Sequence, residues 1–204
     1  MQIIGVIGRV DDDKVIAYKR ICDCLFDYGV FPICLIPHLN ENLSFDANSL
    51  DVMKKMINLC DGIVLQGGEE LNDYDLEIAR YLYQQNIPTL GICLGMQIVG
   101  KAFDGTIITG GNHDVSTNYV HYVKVDKYSL LFDILKKEYI FVNSKHHDFI
   151  IDSSLSQTAY FEDVCETVED KGKLFFLGVQ WHPEYLNDEN SDKLFKRFIG
   201  SIKK

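Results

Sequence analysis

Residues 87–100 read IPTLGICLGMQIVG, and this stretch decides the fold. Ile87 to Ile92 make an apolar run of strand length, and Gly95, Met96, Gln97, Ile98 and Val99 begin a helix-like segment. Cys93 stands at the junction. A cysteine on a strand–turn–helix corner is the arrangement of a nucleophile elbow, which projects its side chain above the sheet. Gly91 and Gly95 flank it two residues away on each side, where a tight turn needs room for the crossing chain. The helix N-terminus beyond offers unpaired N–H groups and the positive end of a dipole, which favours thiolate over thiol. Taken alone, a cysteine in such apolar company is most often packing material. The rest of the chain has to decide.

Working outward, the first half alternates strand-like and helix-like segments. IIGVIG (3–8) is an apolar run ending in glycine, and residues 14–28 carry Val15, Tyr18, Ile21, Cys22, Leu25 and Phe26 on one helical stripe. FPICLIP (31–37) is strand-like, residues 49–59 helical, GIVLQGG (62–68) a strand entering a glycine pair, and residues 72–85 helical. Strands followed by helices of this length imply parallel βαβ units. Such strands are buried on both faces and so are continuously apolar. Ligands of these folds collect at the carboxyl ends of the strands, which singles out the loops after Gly8, Leu65 and Ile92. In the second half strands follow one another. VHYVKV (120–125), YIFVNS (139–144), TAYFEDVCETVED (158–170) and KLFFLGVQW (173–181) are strand-like, and an amphipathic helix spans roughly 189–201. No repeat or linker interrupts the pattern, so one domain over 1–204 is expected.

The bulk numbers narrow the function. A formal charge of −10 and 25% charged residues argue against a general nucleic-acid binder, which needs a basic face. The opening MQIIGVIGRVDDD has no basic leader or small-residue cleavage site. The uncharged stretch from Tyr81 to Gly100 holds Gln84, Gln85, Asn86, Pro88 and Gln97, which suits helix, turn, strand and helix better than a membrane span. Six scattered cysteines give no zinc-ligand spacing, Cys22 and Cys24 being too close for a CxxC pair. A reduced cytoplasmic protein without structural metal is the expectation.

A thiolate nucleophile needs a base and an oxyanion site. GVQWHPE (178–184) ends an apolar strand as GICLG does. Pro183 biases His182 toward extended backbone, and in an extended segment Glu184 projects to the same side as His182. That carboxylate would orient the imidazole and stabilise its protonated form. His38 falls in a loop, and His113 and His121 in polar or half-exposed contexts. In LQGGEE (65–70) the glycine pair lets backbone N–H groups approach a substrate, so the Gly68 and Leu94 amides are the expected oxyanion donors.

The glycine pair after the third strand, G-I-C-x-G-M-Q at the elbow and H-P-E near the C-terminus, in this order across nearly the whole chain, resemble the class I glutamine amidotransferases. The resemblance implies a flavodoxin-like α/β sandwich: a central, mostly parallel sheet with helices on both faces and a smaller antiparallel portion in the C-terminal half. It implies Cys93 as nucleophile, His182 as general base and acid, and Glu184 as the orienting carboxylate. VNSKHHD (142–148) is similar to the V-N-S-x-H-H-Q segment of the free-standing γ-glutamyl hydrolases of this family. By that resemblance Gln97, Asn143, Ser144 and His146 hold the α-amino and α-carboxylate groups of a γ-glutamyl substrate. Lys145 stands where those hydrolases carry an aromatic or apolar residue, and Asp148 replaces their glutamine. The residue after the nucleophile is Leu94, as in many amidotransferases, where the hydrolases often have arginine.

The implied activity is hydrolysis of a γ-glutamyl amide of a small molecule, with no nucleic acid, no membrane and no cofactor. A nucleotide-linked leaving group would draw on cations, and Arg9 and Lys145 are the expected suppliers. One alternative is a glutaminase subunit that passes ammonia to a synthase partner. Another is a non-catalytic binding module on the same fold, which would have no chemical need for Cys93, His182 and Glu184 together.

Overall fold

The computed structural model describes residues 2–110 and 116–202; His113 lies outside them. The chain runs β1 (Ile3–Ile7), a small hairpin of β2 (Arg9–Asp11) and β3 (Lys14–Ile16), α1 (Lys19–Asp27), β4 (Phe31–Leu35), α2 (Ala47–Ile57), β5 (Gly62–Leu65), α3 (Asp73–Gln84), β6 (Thr89–Ile92) and α4 (Leu94–Ala102). It continues with β7 (Thr106–Thr109), β8 (Ser116–Val125), α5 (Leu130–Leu135), β9 (Tyr139–Ser144), β10 (Asp148–Ile151), β11 (Ser156–Phe161), β12 (Val164–Glu169), β13 (Phe176–Val179), a 3-10 turn (Pro183–Tyr185) and α6 (Glu189–Gly200).

A nine-stranded sheet of order β4-β1-β5-β6-β13-β12-β11-β8-β9 carries the fold. The first five strands are mutually parallel, and β12, β11, β8 and β9 extend the sheet antiparallel. This is the mostly parallel α/β sandwich with an antiparallel C-terminal portion that the motifs imply. The apolar runs of β1, β5, β6 and β13 are buried almost throughout because both faces are covered. One core gathers Ile21 and Leu25 of α1 and Leu194, Phe195 and Phe198 of α6 against Val6, Val64, Leu90 and Ile92. The core on the opposite face gathers Met53 of α2, Ile78 and Leu82 of α3 and Met96 and Val99 of α4. Helix α2 starts at a capping box in which Asp46 Oδ1 accepts from the Ser49 N–H at 2.7 Å and the Asp46 N–H donates to Ser49 Oγ at 3.0 Å.

Two segments differ from the sequence pattern. Residues 14–28 are not one helix: Val15 belongs to β3, and α1 begins only at Lys19. The turn at Asp12, with φ of 50°, lets Arg9–Asp11 pair antiparallel with Lys14–Ile16. The long run 158–170 folds back on itself as β11 and β12 around Glu162, whose φ of 51° makes the turn without a glycine. Among the described residues no helix is long and apolar enough to cross a membrane.

Candidate active site

Sheet order alone brings three distant segments together. Strands β5, β6 and β13 are neighbours, with Leu65 in register with Gly91 and Val179 in register with Ile92. Their carboxyl ends therefore place Gln66–Gly68, Cys93 and Gln180–Glu184 side by side. The corner at Cys93 is sharp, with φ of 54° and ψ of −109°. A non-glycine residue in such a region costs about 1–3 kcal/mol and persists only when its surroundings impose it. Here the Cys93 N–H donates to the Val179 carbonyl at 2.8 Å, and the Cys93 carbonyl accepts from the Met96 N–H at 2.9 Å. The glycines on either side serve close approach. A Cβ on Gly95 would lie 1.9 Å from the Leu65 carbonyl oxygen, and one on Gly91 would lie 2.6 Å from that of Gly95.

The structure brings Cys93, His182 and Glu184 into one cleft. The His182 ring lies within electrostatic reach of the Cys93 side chain, and its Nδ1 lies 2.7 Å from Glu184 Oε1. Burial opposes a charge on this imidazole. The neighbouring Cys93 and Glu184 side chains outweigh it and push the His182 pKa from 6.5 up to about 10. The ring thus keeps its proton at neutral pH. Glu184 does not reach it from an extended segment, as the His-Pro-Glu pattern implied. It sits in the 3-10 turn behind Pro183, and Arg20 of α1 fixes that turn by donating Nε–H to the Glu184 carbonyl at 2.5 Å.

These residues line a cleft of about 470 Å³ together with Gly67, Gly68, Gln97, Lys145, His146, Tyr18 and Tyr185. Gly68 is wedged between Leu94 and the Arg9 side chain, where a Cβ would meet Leu94 Cδ2 at 3.0 Å and Arg9 Nε at 2.9 Å. Leu94 opens α4, so its N–H is one of those a helix leaves without an intrahelical acceptor. The Lys145 carbonyl oxygen lies 3.8 Å from Cys93 Sγ, and the Lys145 side chain is exposed. His146 is buried against the cleft, with Nδ1 3.0 Å from the Asp148 carbonyl, so that nitrogen carries the proton. Gln97 is buried and donates to the same carbonyl at 2.9 Å.

Three expected substrate contacts take other places. Arg9 is buried, pairs with Asp75 at 2.5 Å through Nη1 and donates through Nη2 to the Glu70 carbonyl. It braces the glycine loop from beneath and does not line the cleft, because a buried guanidinium must satisfy its donors internally. Its partner Asp75 has its pKa raised by burial, with the Arg9 charge opposing the shift. Asn143 is also buried and is a latch: its Nδ2 donates to the His182 carbonyl at 2.9 Å, and its Oδ1 accepts from the His182 N–H at 2.8 Å. Ser144 is fully buried and absent from the cleft lining. His121 is not half-exposed but buried, with Nε2 3.1 Å from Glu166 Oε1.

Two glutamines stand at the site without having been singled out by any motif. Gln66, next to the glycine pair, donates to the Ile7 and Ile16 carbonyls at 2.8 and 2.9 Å and accepts from the Tyr18 N–H at 2.8 Å. It ties the hairpin and the start of α1 to the cleft. Gln180 stands beside Cys93 with Nε2 3.7 Å from Sγ. A polar residue directly after an apolar strand is the sequence signal in both cases.

The fold and these strand-end residues define an α/β protein with a cysteine on a strand–helix corner, and comparison with known proteins supplies its family. The family "Glutamine amidotransferase class-I" matches residues 38–201. The chain belongs to this family. It is 32% identical to one subunit of the glutamine-hydrolyzing GMP synthase of Archaeoglobus fulgidus over 148 residues, covering 71% of this chain and 77% of that protein. The corresponding subunit of Haloquadratum walsbyi is 29% identical over 152 residues, covering 72% and 78%. The glutaminase domain of Trypanosoma brucei CTPS, solved with bound acivicin, superposes with a TM-score of 0.74 at 19% identity, over 98% of this chain and 93% of that one. This last likeness concerns the fold.

Proposed function

We propose that the protein hydrolyses a γ-glutamyl amide through a thioester on Cys93. The observation that carries this reading is the His182–Glu184 hydrogen bond in the same strand-end cleft as Cys93, whose side chain acts on the His182 ring. The Cys93 thiolate attacks the γ-carbonyl carbon, and a C–S bond forms as the carbonyl becomes an oxyanion. The Gly68 and Leu94 amides stabilise that charge, an interaction worth about 3–4 kcal/mol per donor. The C–N bond then breaks, and protonated His182 gives its proton to the departing nitrogen. Water attacks the thioester with neutral His182 as base, the C–S bond breaks, and glutamate leaves. Glu184 holds the ring and balances its charge at both stages.

The finer reading concerns the leaving group. The cleft is roomy beside a γ-glutamyl unit. Tyr18, Tyr185 and Lys145, all exposed, rim it. A leaving group larger than ammonia suits that shape, and Lys145 suits an anionic one. With the resemblance of VNSKHHD to free-standing hydrolases, this supports a γ-glutamyl-CDP-amidate as substrate, giving cytidine diphosphoramidate for capsule modification. The kinship with GMP synthase subunits supports a second reading, a glutaminase that delivers ammonia to a synthase.

The test is a panel of glutamine, γ-glutamyl amines and a γ-glutamyl nucleotide phosphoramidate, scored by free glutamate. At least one is expected to turn over, and Cys93→Ala should lower its rate about 10⁴-fold or more with the fold intact. Undiminished turnover by that variant refutes the mechanism. Glutaminase activity that rises sharply only with an added synthase selects the second reading.

A further inference from the structure

We propose that the Gln180 side-chain amide is a hydrogen-bond donor to the Cys93 sulfur that holds and stabilises the thiolate in addition to His182. Parallel pairing of β6 with β13 sets Val179 beside Ile92, so the next residues, Gln180 and Cys93, are also neighbours. Gln180 is fully buried, and its Nε2 stands 3.7 Å from Sγ. Its Oε1 accepts from Gln97 Nε2 at 3.3 Å, and that same Gln97 nitrogen donates to the Asp148 carbonyl at 2.9 Å.

This chain of hydrogen bonds sets the direction of both amides. Gln97 Nε2 faces two oxygens, so it is the NH₂ group, with one hydrogen for each. Gln180 must then turn its oxygen to Gln97 and its NH₂ to the sulfur. A flipped Gln180 would set two NH₂ groups face to face and aim a carbonyl oxygen at a thiolate.

A buried donor needs an acceptor, and a thiolate is a better acceptor than a thiol or a thioester sulfur because it carries the charge. The contact is therefore strongest in free enzyme and again when the sulfur is expelled from the thioester. Gln180 on this account favours thiolate at rest and eases its departure in the second half-reaction.

The inference rests on Cys93 being the nucleophile, and its test needs no γ-glutamyl substrate. Alkylation of Cys93 by iodoacetamide is followed against pH by peptide mass in the wild type, Gln180→Leu and Gln180→Glu. Loss of the donor should raise the apparent midpoint by about 0.5–1 unit in Gln180→Leu. The carboxylate of Gln180→Glu should raise it further, since a like charge disfavours the thiolate. Thermal melting identifies the folded variants, and Gln180→Glu, which keeps the shape, carries the test if Gln180→Leu does not fold. A wild-type midpoint in a folded variant overturns the proposal. A shifted midpoint in a protein that turns over none of the panel leaves this contact standing and removes the hydrolase reading.

Discussion

The parallel and antiparallel halves of the sheet both reach the cleft, but they place their residues by different physics. In the parallel half, backbone sterics position Cys93. Cys93 sits on a strained corner between β6 and α4, and Gly91 and Gly95 admit chain segments that a Cβ would exclude. In the antiparallel half, side chains do the positioning by hydrogen-bonding to backbone. Asn143, at the end of β9, clasps both backbone polar groups of His182, and His146 leans on the Asp148 carbonyl. Cys93 is thus held by what cannot fit, and His182 by what must be paired.

The contrast is broken most forcefully at Gly95. A methyl group there meets the Leu65 carbonyl at 1.9 Å, and neither backbone can yield without moving β5 or α4. Gly95→Ala should cost about 3 kcal/mol of stability, the upper range of overpacking, read from denaturant midpoints. A loss below about 1 kcal/mol would mean the corner relaxes easily, and the steric account of the parallel half fails.

Asn143 tests the other half. Asn143→Ala removes the latch on His182 and leaves the His182–Glu184 hydrogen bond in place. The expected result is kcat lowered about 10–100-fold with KM nearly unchanged, since small misplacement of a reacting group is costly. A raised KM with kcat retained would instead restore Asn143 to the substrate, the role its sequence context implied.

The same division explains what is legible in the sequence. Turn glycines, apolar strands and the His-Pro-Glu order are local signals, and they locate β5, β6, β13 and the corners that follow them. The Asn143 latch joins positions 39 apart through backbone atoms, so nothing in either segment announces it. Arg9 reads as a free cation because its partner Asp75 is 66 residues away. The turns at Asp12 and Glu162 are hidden because ordinary residues there adopt a positive φ that glycine usually signals. Gln66 and Gln180 are visible as polar residues at strand ends, but their roles depend on which strands are neighbours.

The smallest effect concerns where the two halves meet electrostatically, at the proton on His182. Burial works against that proton, and Cys93 and Glu184 hold it, with a folded-state pKa of about 10 against 6.5 for a free ring. A pKa raised on folding contributes stability that is fully present below about 6.5 and is lost as pH rises through about 10. Glu184→Gln removes the carboxylate partner and should lower the folded pKa. The variant should therefore be less stable than the wild type by about 1 kcal/mol near pH 6, with the gap closing toward pH 10. Unfolding free energies of both proteins across that range decide the matter. A gap independent of pH would mean that Glu184 serves the packing of the 3-10 turn, and that the imidazole is charged by the sulfur alone.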